Sequence, residues 1–288
     1  MLSRYNWKQH LTNLEEQNIH TNTLGFVRSL LALSLLVTML FNPIEILFPS
    51  PEMKSVFWAV NPIKEWILFS LFGVEAGKTI SILILLSVII GFIPQITSIL
   101  HWWVAFSFMN YCPFINGGDE IHSILTLFLI PICVSDNRLN HWQKDKNIKK
   151  PIKNFISNAT LFVIKVQVSI IYLHAAVGKL FETDWLNGTA LYYWFNNSFF
   201  GMPGFLSNTV NYFLSIGWFS LLSTWTVIVL ELLLAGGLII DTKYKHTLYL
   251  MGVSFHLLIF LMIGLFSFSS VMIAGLTLYL YPLTKKDK

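Results

Sequence analysis

Charge is scarce in this chain. Only 12% of its 288 residues are Asp, Glu, Lys or Arg, about half the share of a soluble domain. That shortage excludes an ordinary water-soluble globule. The net charge of +4 is read through its placement, because no stretch resembles a basic, aromatic-interleaved nucleic-acid patch, and nucleic acid is not an expected partner. Cysteine is nearly absent too. Cys112 and Cys133 stand alone and give no metal-ligand spacing, so neither a zinc nor an iron–sulfur site is expected. There is no internal repeat, low-complexity linker, Walker loop, Gly-x-Ser-x-Gly elbow or His-Glu-x-x-His pair, and the usual membrane metalloprotease is unsupported.

What the chain has instead is apolar length. It is 55% hydrophobic, with 24 Phe and 10 Trp, and its apolar runs reach the roughly 20 residues that cross a bilayer. The expected fold is all-α: a single polytopic integral membrane domain over 1–288, a helical bundle of about eight transmembrane helices. A polar N-terminus (1–23) can lie on the membrane as a short helix. Span 1 runs from about Leu24 to Phe48, with Arg28 near its start and Pro43 near its end. It is too long and too late for a signal-peptide core, and no small-x-small cleavage site follows, so it is retained. Residues 49–75 mix charge with Trp and Phe, as an interfacial loop or half-helix does. Span 2 covers about Ala76 to Phe92, span 3 Gln95 to Asn110, and span 4 Glu120 to Ser135 after a Gly-Gly turn. Span 5 covers about Asn154 to Leu180, span 6 Leu221 to Ile240, span 7 Thr247 to Met262 and span 8 Phe266 to Pro282. The tail, 283–288, is basic.

Positive charge sets the orientation. Residues 136–153 hold six Lys and Arg, 241–246 hold Lys243 and Lys245, and the tail holds three lysines, whereas 181–220 hold neither Lys nor Arg. Eight spans with both termini cytoplasmic put all three basic stretches inside a cell membrane, and put 49–75, 110–119 and 181–220 outside. Cys112 and Cys133 then lie at opposite ends of span 4. Their 21-residue separation covers roughly 30 Å of helix, too far for a disulfide, which needs Cα atoms within about 7 Å.

Against that background the few ionisable groups at membrane depth stand out. Lys179 closes span 5 at its outer end, on one helical face with Lys165 and Tyr172. It is either a snorkelling interface anchor or the working part of a site. Asp119, Glu120 and His122 open span 4 at the same membrane face, Asp119 and His122 on one side of the helix with Thr126 a turn further. The carboxylates either cap this helix or serve a site there. Glu231 lies deep in span 6 and must be protonated, paired or facing a wet cavity. It is either a neutral group bonding a neighbouring helix or a catalytic one. His256 in span 7 and His101 in span 3 are likewise helix-to-helix hydrogen bonders or ligands.

The run YLHAAVGKLFETDWLNG, Tyr172 to Gly188, resembles the lysine-centred Lys-Leu…Asp-Trp-x-x-Gly signature of the vitamin K-dependent γ-glutamyl carboxylase, shared by the wider horizontally transferred transmembrane (HTTM) family. In the carboxylase this lysine is the base that starts oxygen chemistry on the reduced quinone, and Lys179 falls on it. His122 resembles a histidine at the head of an earlier carboxylase helix, and FHLLIFLMIGLFSFSSVM (255–272) resembles the family's last helical hairpin. RSLLALSLLVTMLFNP (28–43), ILHWWVAFSF (99–108) and INGGDEI (115–121) are similar to a closer branch, the sporulation-delaying protein B group. Members of that branch work with a small A protein in maturing a secreted antimicrobial peptide, the C protein.

Two departures matter. The chain stops at Lys288, so the carboxylase's large extramembrane region for propeptide and glutamates is expected to be missing. Gly178 stands where the carboxylase has a second lysine, and Glu182-Thr183 lengthens the turn by one residue. Both weigh against carboxylation and vitamin K dependence. The resemblance then implies a maturation enzyme acting on an SdpC-like toxin precursor with an SdpA-like accessory protein supplying substrate contacts. In that reading Lys179 is the base or nucleophile, freed of its proton by a desolvated setting. His122 shuttles the proton, Asp119 or Glu120 orients the histidine, and Trp185 walls out water. Tyr172, Asp184, Gly188, Glu231 and His256 support the site. Two other readings stay open: a carboxylase or epoxidase-like oxygenase using a lipid-phase quinone, which added reduced quinone would reveal by precursor mass, and a non-enzymatic immunity or transport protein, which would protect toxin-sensitive cells by itself.

Overall fold

Every regular element is a helix among the described residues, and the structure, a computed structural model, describes residues 14–48, 65–113, 116–144, 150–198 and 201–283. In chain order these are α1 (Asn22–Phe41), α2 (Ile44–Leu47), α3 (Leu68–Phe72), α4 (Val74–Ile90), α5 (Pro94–Tyr111), α6 (Gly117–Val134) and α7 (Pro151–Lys179). There follow α8 (Thr183–Leu186), α9 (Ala190–Phe195), α10 (Gly204–Leu214), α11 (Gly217–Ala235, prolonged by a 3-10 turn over Gly236–Leu238), α12 (Thr242–Ile263) and α13 (Phe266–Leu280). Local sequence explains the starts. Pro94 and Pro151 occupy first-turn positions, where the missing N–H is not needed. Asn116 and Asp119 form a reciprocal cap on α6.

Each expected span after the first falls on one helix, α4, α5, α6, α7, α11, α12 or α13, and the first falls mostly on α1. Five of them (α1, α6, α7, α11 with its 3-10 turn, and α12) are long and apolar enough to cross a membrane. Of the others, α4 has 17 residues and α13 has 15, while α5 is diluted by Gln95, Thr97, Ser98, His101 and Asn110. The chain is an all-α polytopic membrane bundle.

Two expected boundaries change. The run Leu24–Phe48 is broken, because Asn42 precedes Pro43 and is forced into extended backbone (φ −112°, ψ 129°). The segment 181–220, read as one outer stretch, holds three short helices and the first turn of α11. The expectations for 1–13, 49–64, the basic run 145–149 and the tail 284–288 lie outside the described residues. Cys112 and Cys133 are both buried and are not joined to each other by a disulfide.

Two apolar cores share α1. Leu24, Val27 and Leu31 join α6, α7, α11, α12 and α13. Ala32, Leu35, Leu36 and Met39 join α2, α3, α4 and α5. Interhelical bonds fix which ends lie together. Lys78 Nζ at the start of α4 donates to Asn42 O just past α1 (2.9 Å), Cys112 after α5 contacts Leu47 O of α2 (3.3 Å), and Asn116 donates to Ser267 at the start of α13 (3.3 Å). The C-termini of α1 and α5 therefore lie at the same end of the bundle as the N-termini of α4, α6 and α13, and the turn after α7 meets the first turn of α11 (Gly188 O to Ser220 Oγ, 2.8 Å).

Candidate functional site

Side chains on a helix lean toward its N-terminus, and Lys179 follows that rule from the last residue of α7. Its Nζ turns back into the bundle, 3.4 Å from Ala175 O one turn earlier. A snorkelling anchor would extend past the helix end. The ammonium instead lies 2.8 Å from each carboxylate oxygen of Glu231 on α11. Glu231 is 6% exposed, a depth at which a carboxylate needs a partner. Lys179 is that partner.

The turn after α7 roofs this pair. The Trp185 ring centroid stands 5.0 Å from Lys179 Nζ, within cation–π range. Gly188 holds the turn in place. Its φ of +75° is a left-handed conformation that suits glycine, and an added Cβ would sit 2.6 Å from Leu221 Cα. Its carbonyl accepts hydrogen bonds from Ser220 Oγ (2.8 Å) and Thr224 Oγ1 (3.1 Å) on α11. The Asp184 carbonyl accepts from Thr189 N (2.9 Å) and closes the loop, while the Asp184 side chain is exposed. Ser220 and Thr224 were not singled out from sequence. Their spacing of four, with Glu231 seven further on, is a helical stripe that pointed to them.

Tyr172 lies two turns deeper on the same face of α7. Its hydroxyl is 2.8 Å from His256 Nε2 on α12. The His256 ring packs on Phe268 of α13 at 5.7 Å between centroids. Its Nδ1 is buried without a partner among the described residues.

His122 has a different neighbour from the one expected. Its Nε2 is 3.0 Å from Nε2 of His101 on α5, and its backbone carbonyl accepts from Thr126 Oγ1 (2.8 Å). Neither Asp119 nor Glu120 supplies its hydrogen-bond partner. The Asp119 carboxylate accepts from Asn116 N (2.9 Å) in the α6 cap, so the capping reading describes its contact. Glu120 is exposed. The structure thus brings the named residues together in three groups: Lys179–Glu231–Trp185, Tyr172–His256, and His101–His122. The start of α6 also packs closely on α13, where a Cβ on Gly118 would lie 2.7 Å from Phe268 Cα.

A fourth group at the opposite end was missed because its members are far apart in sequence. Arg28, 1% exposed, reaches His141 Nδ1 (2.8 Å) and donates to Thr97 Oγ1 (2.9 Å). Arg138 pairs with Asp136 (2.7 Å) and donates to His141 O (2.7 Å). Burial first, then the Arg28 and Arg138 charges, push the His141 pKa down to about 3. The ring is a fixed neutral acceptor, and this group clamps the α6–α7 loop to α1 and α5. Among the described residues no group of three or more His, Cys, Asp or Glu could hold a metal ion.

Known proteins place this geometry. The chain is 34% identical to the sporulation-delaying protein SdpB of Bacillus subtilis strain 168 over 279 residues, covering 93% of this chain and 84% of that protein. It is 31% identical to the uncharacterised protein YitO of the same strain over 291 residues, 96% of this chain and 91% of that one. No solved structure matches. The HTTM domain model matches residues 16–283, so the chain belongs to the HTTM domain family.

Proposed function

We propose that this protein is a membrane-embedded enzyme that matures an exported antimicrobial-peptide precursor, with Lys179 as its base. The likeness to a sporulation-delaying protein across 93% of the chain supports the toxin setting. The observation that carries the chemistry is the Lys179 ammonium turned inward onto a buried carboxylate, at 2.8 Å from both oxygens.

A buried ion pair is poised for proton transfer, because moving the proton from ammonium to carboxylate removes two charges from a low-dielectric site. Lys179 becomes a neutral amine and Glu231 a carboxylic acid. The amine then takes a proton from the substrate, and Glu231 hands its own to the departing or product group, so the pair returns to its starting state. Trp185 over Nζ limits water. His122 with His101, and Tyr172 with His256, serve as proton acceptors and donors behind the centre. A separate accessory protein brings the precursor, as the resemblance to the sporulation-delaying branch implies. The outer end of the bundle is the end that carries Lys179, and both termini are cytoplasmic.

The test uses cells that make precursor and accessory protein with or without this chain. Mature peptide in the medium, identified by mass, should depend on the chain. Unchanged mature peptide in its absence, or protection of toxin-sensitive cells by this chain alone, contradicts the proposal.

A further inference from the structure

A cleft of about 630 Å³ opens between α5 and α6 and is separate from the Lys179 centre. Trp102, Phe106, Asn110, Pro113, Glu120 and Leu127 are among the residues that line it, Glu120 and Leu127 exposed and Asn110 buried. From Trp102 to Asn110 the wall runs roughly 12 Å along α5. The Trp102 and Phe106 rings lie 5.4 Å apart between centroids, an aromatic wall next to one carboxylate.

Charge identifies the occupant. Between Lys78 and Arg138 the chain has no Lys or Arg, and none occurs from Leu180 to Thr242. The helix walls of the cleft therefore offer no cation. At the α6 N-terminus the Asn116 and Gly118 amides are taken by the Asp119 and Asn116 side chains. Among the described residues the Glu120 carboxylate has no hydrogen-bond or ion-pair partner, and it is exposed on the lining of the cleft. A phospholipid headgroup would bring a phosphate with no positive partner on these helices. A cation on an apolar stem meets both the carboxylate and the aromatic wall.

We infer that the α5–α6 cleft binds an apolar peptide segment carrying one Lys or Arg side chain, the charge held at Glu120 and the apolar part seated on Trp102 and Phe106. This holds whether or not Lys179 acts as a base, because it concerns binding at a different place.

The full-length protein in detergent micelles tests it with two photo-reactive N-acetylated tripeptide amides, acetyl-Leu-photoleucine-Lys and acetyl-Leu-photoleucine-norleucine, followed by mass spectrometry of the labelled fragments. An exposed ion pair with a cation–π contact favours the Lys peptide by about fivefold to tenfold in labelling of residues 102–127. Glu120→Gln should bring the two peptides to within about twofold without changing norleucine labelling. Ile124→Trp, which fills the cleft, should reduce labelling by both. Equal labelling of the unaltered protein by both peptides would mean an unselective lipid-filled groove and would overturn the inference. Lys-peptide labelling indifferent to Glu120→Gln would overturn it too.

Discussion

Lys179 and Glu231 depend on each other in a way that separates stability from chemistry. Removing one partner of a buried ion pair leaves an uncompensated charge, at about 3–5 kcal/mol for a fully buried pair. Lys179 keeps 19% side-chain exposure, so roughly 1–3 kcal/mol is expected here after solvent screening. Glu231→Leu alone should lower the yield and thermal stability of the membrane protein. The double change Lys179→Met with Glu231→Leu removes both charges and should recover most of that stability while mature peptide stays absent. Recovery of maturation in the double variant would make the pair purely structural. Gly188 sits beside this pair with a different constraint. Gly188→Ala meets backbone at 2.6 Å in a left-handed conformation, a strain of about 1–3 kcal/mol. It should displace the Trp185 roof and reduce maturation more than membrane abundance. The check is mature peptide per unit of inserted protein.

Helices and their junctions were legible to different degrees. Apolar runs marked all eight main helices, five of them long enough to cross a bilayer by themselves. Pro43 marked a break that apolarity concealed, since IEILF continues the run while Asn42 cannot stay helical before proline. The lysine motif pointed to α7 and its turn, but nothing local said which helix α7 would face. The pairing of Lys179 with Glu231, and of His101 with His122, depends on which helices are neighbours, and short-range pattern does not carry that. The clamp at His141 is the clearest case, joining α1, α5 and the α6–α7 loop over more than a hundred residues of chain. It yields a pH prediction. His141 titrates at about 3 when folded and near 6.5 when unfolded, so the unfolded chain binds the extra proton between those values. Stability from this group is complete above about pH 6.5 and falls as pH drops toward 3, by at most roughly 1.4 kcal/mol per pH unit. Thermal unfolding from pH 7 to 5 should be less pH-dependent in His141→Gln than in the unaltered protein. Parallel pH profiles would remove His141 from the account.

At the scale of the whole molecule, the asymmetry of charge decides how the bundle sits. Residues 136–153 carry six Lys and Arg while 181–220 carry none, which favours a cytoplasmic location for the first and an external one for the second. A reporter fused within 136–153 should be cytoplasmic, and one fused near Asn197 exported; the reverse would turn the Lys179 end to the inside. The all-α bundle could be read from composition alone, but not the sharing of α1 between two cores, because both faces of α1 are apolar and pattern does not say which neighbour each face meets. The central claim is that Lys179 must shed its proton, and a substitution that keeps the charge while forbidding that step tests it most directly. Arg stays protonated in proteins, its pKa lying above about 12, and it can still pair with Glu231. The measurement is mature peptide secreted by cells carrying Lys179→Arg, normalised to inserted protein. The account predicts normal insertion and a loss of mature peptide of about a hundredfold or more, whereas near-normal maturation would show that Lys179 supplies only a positive charge.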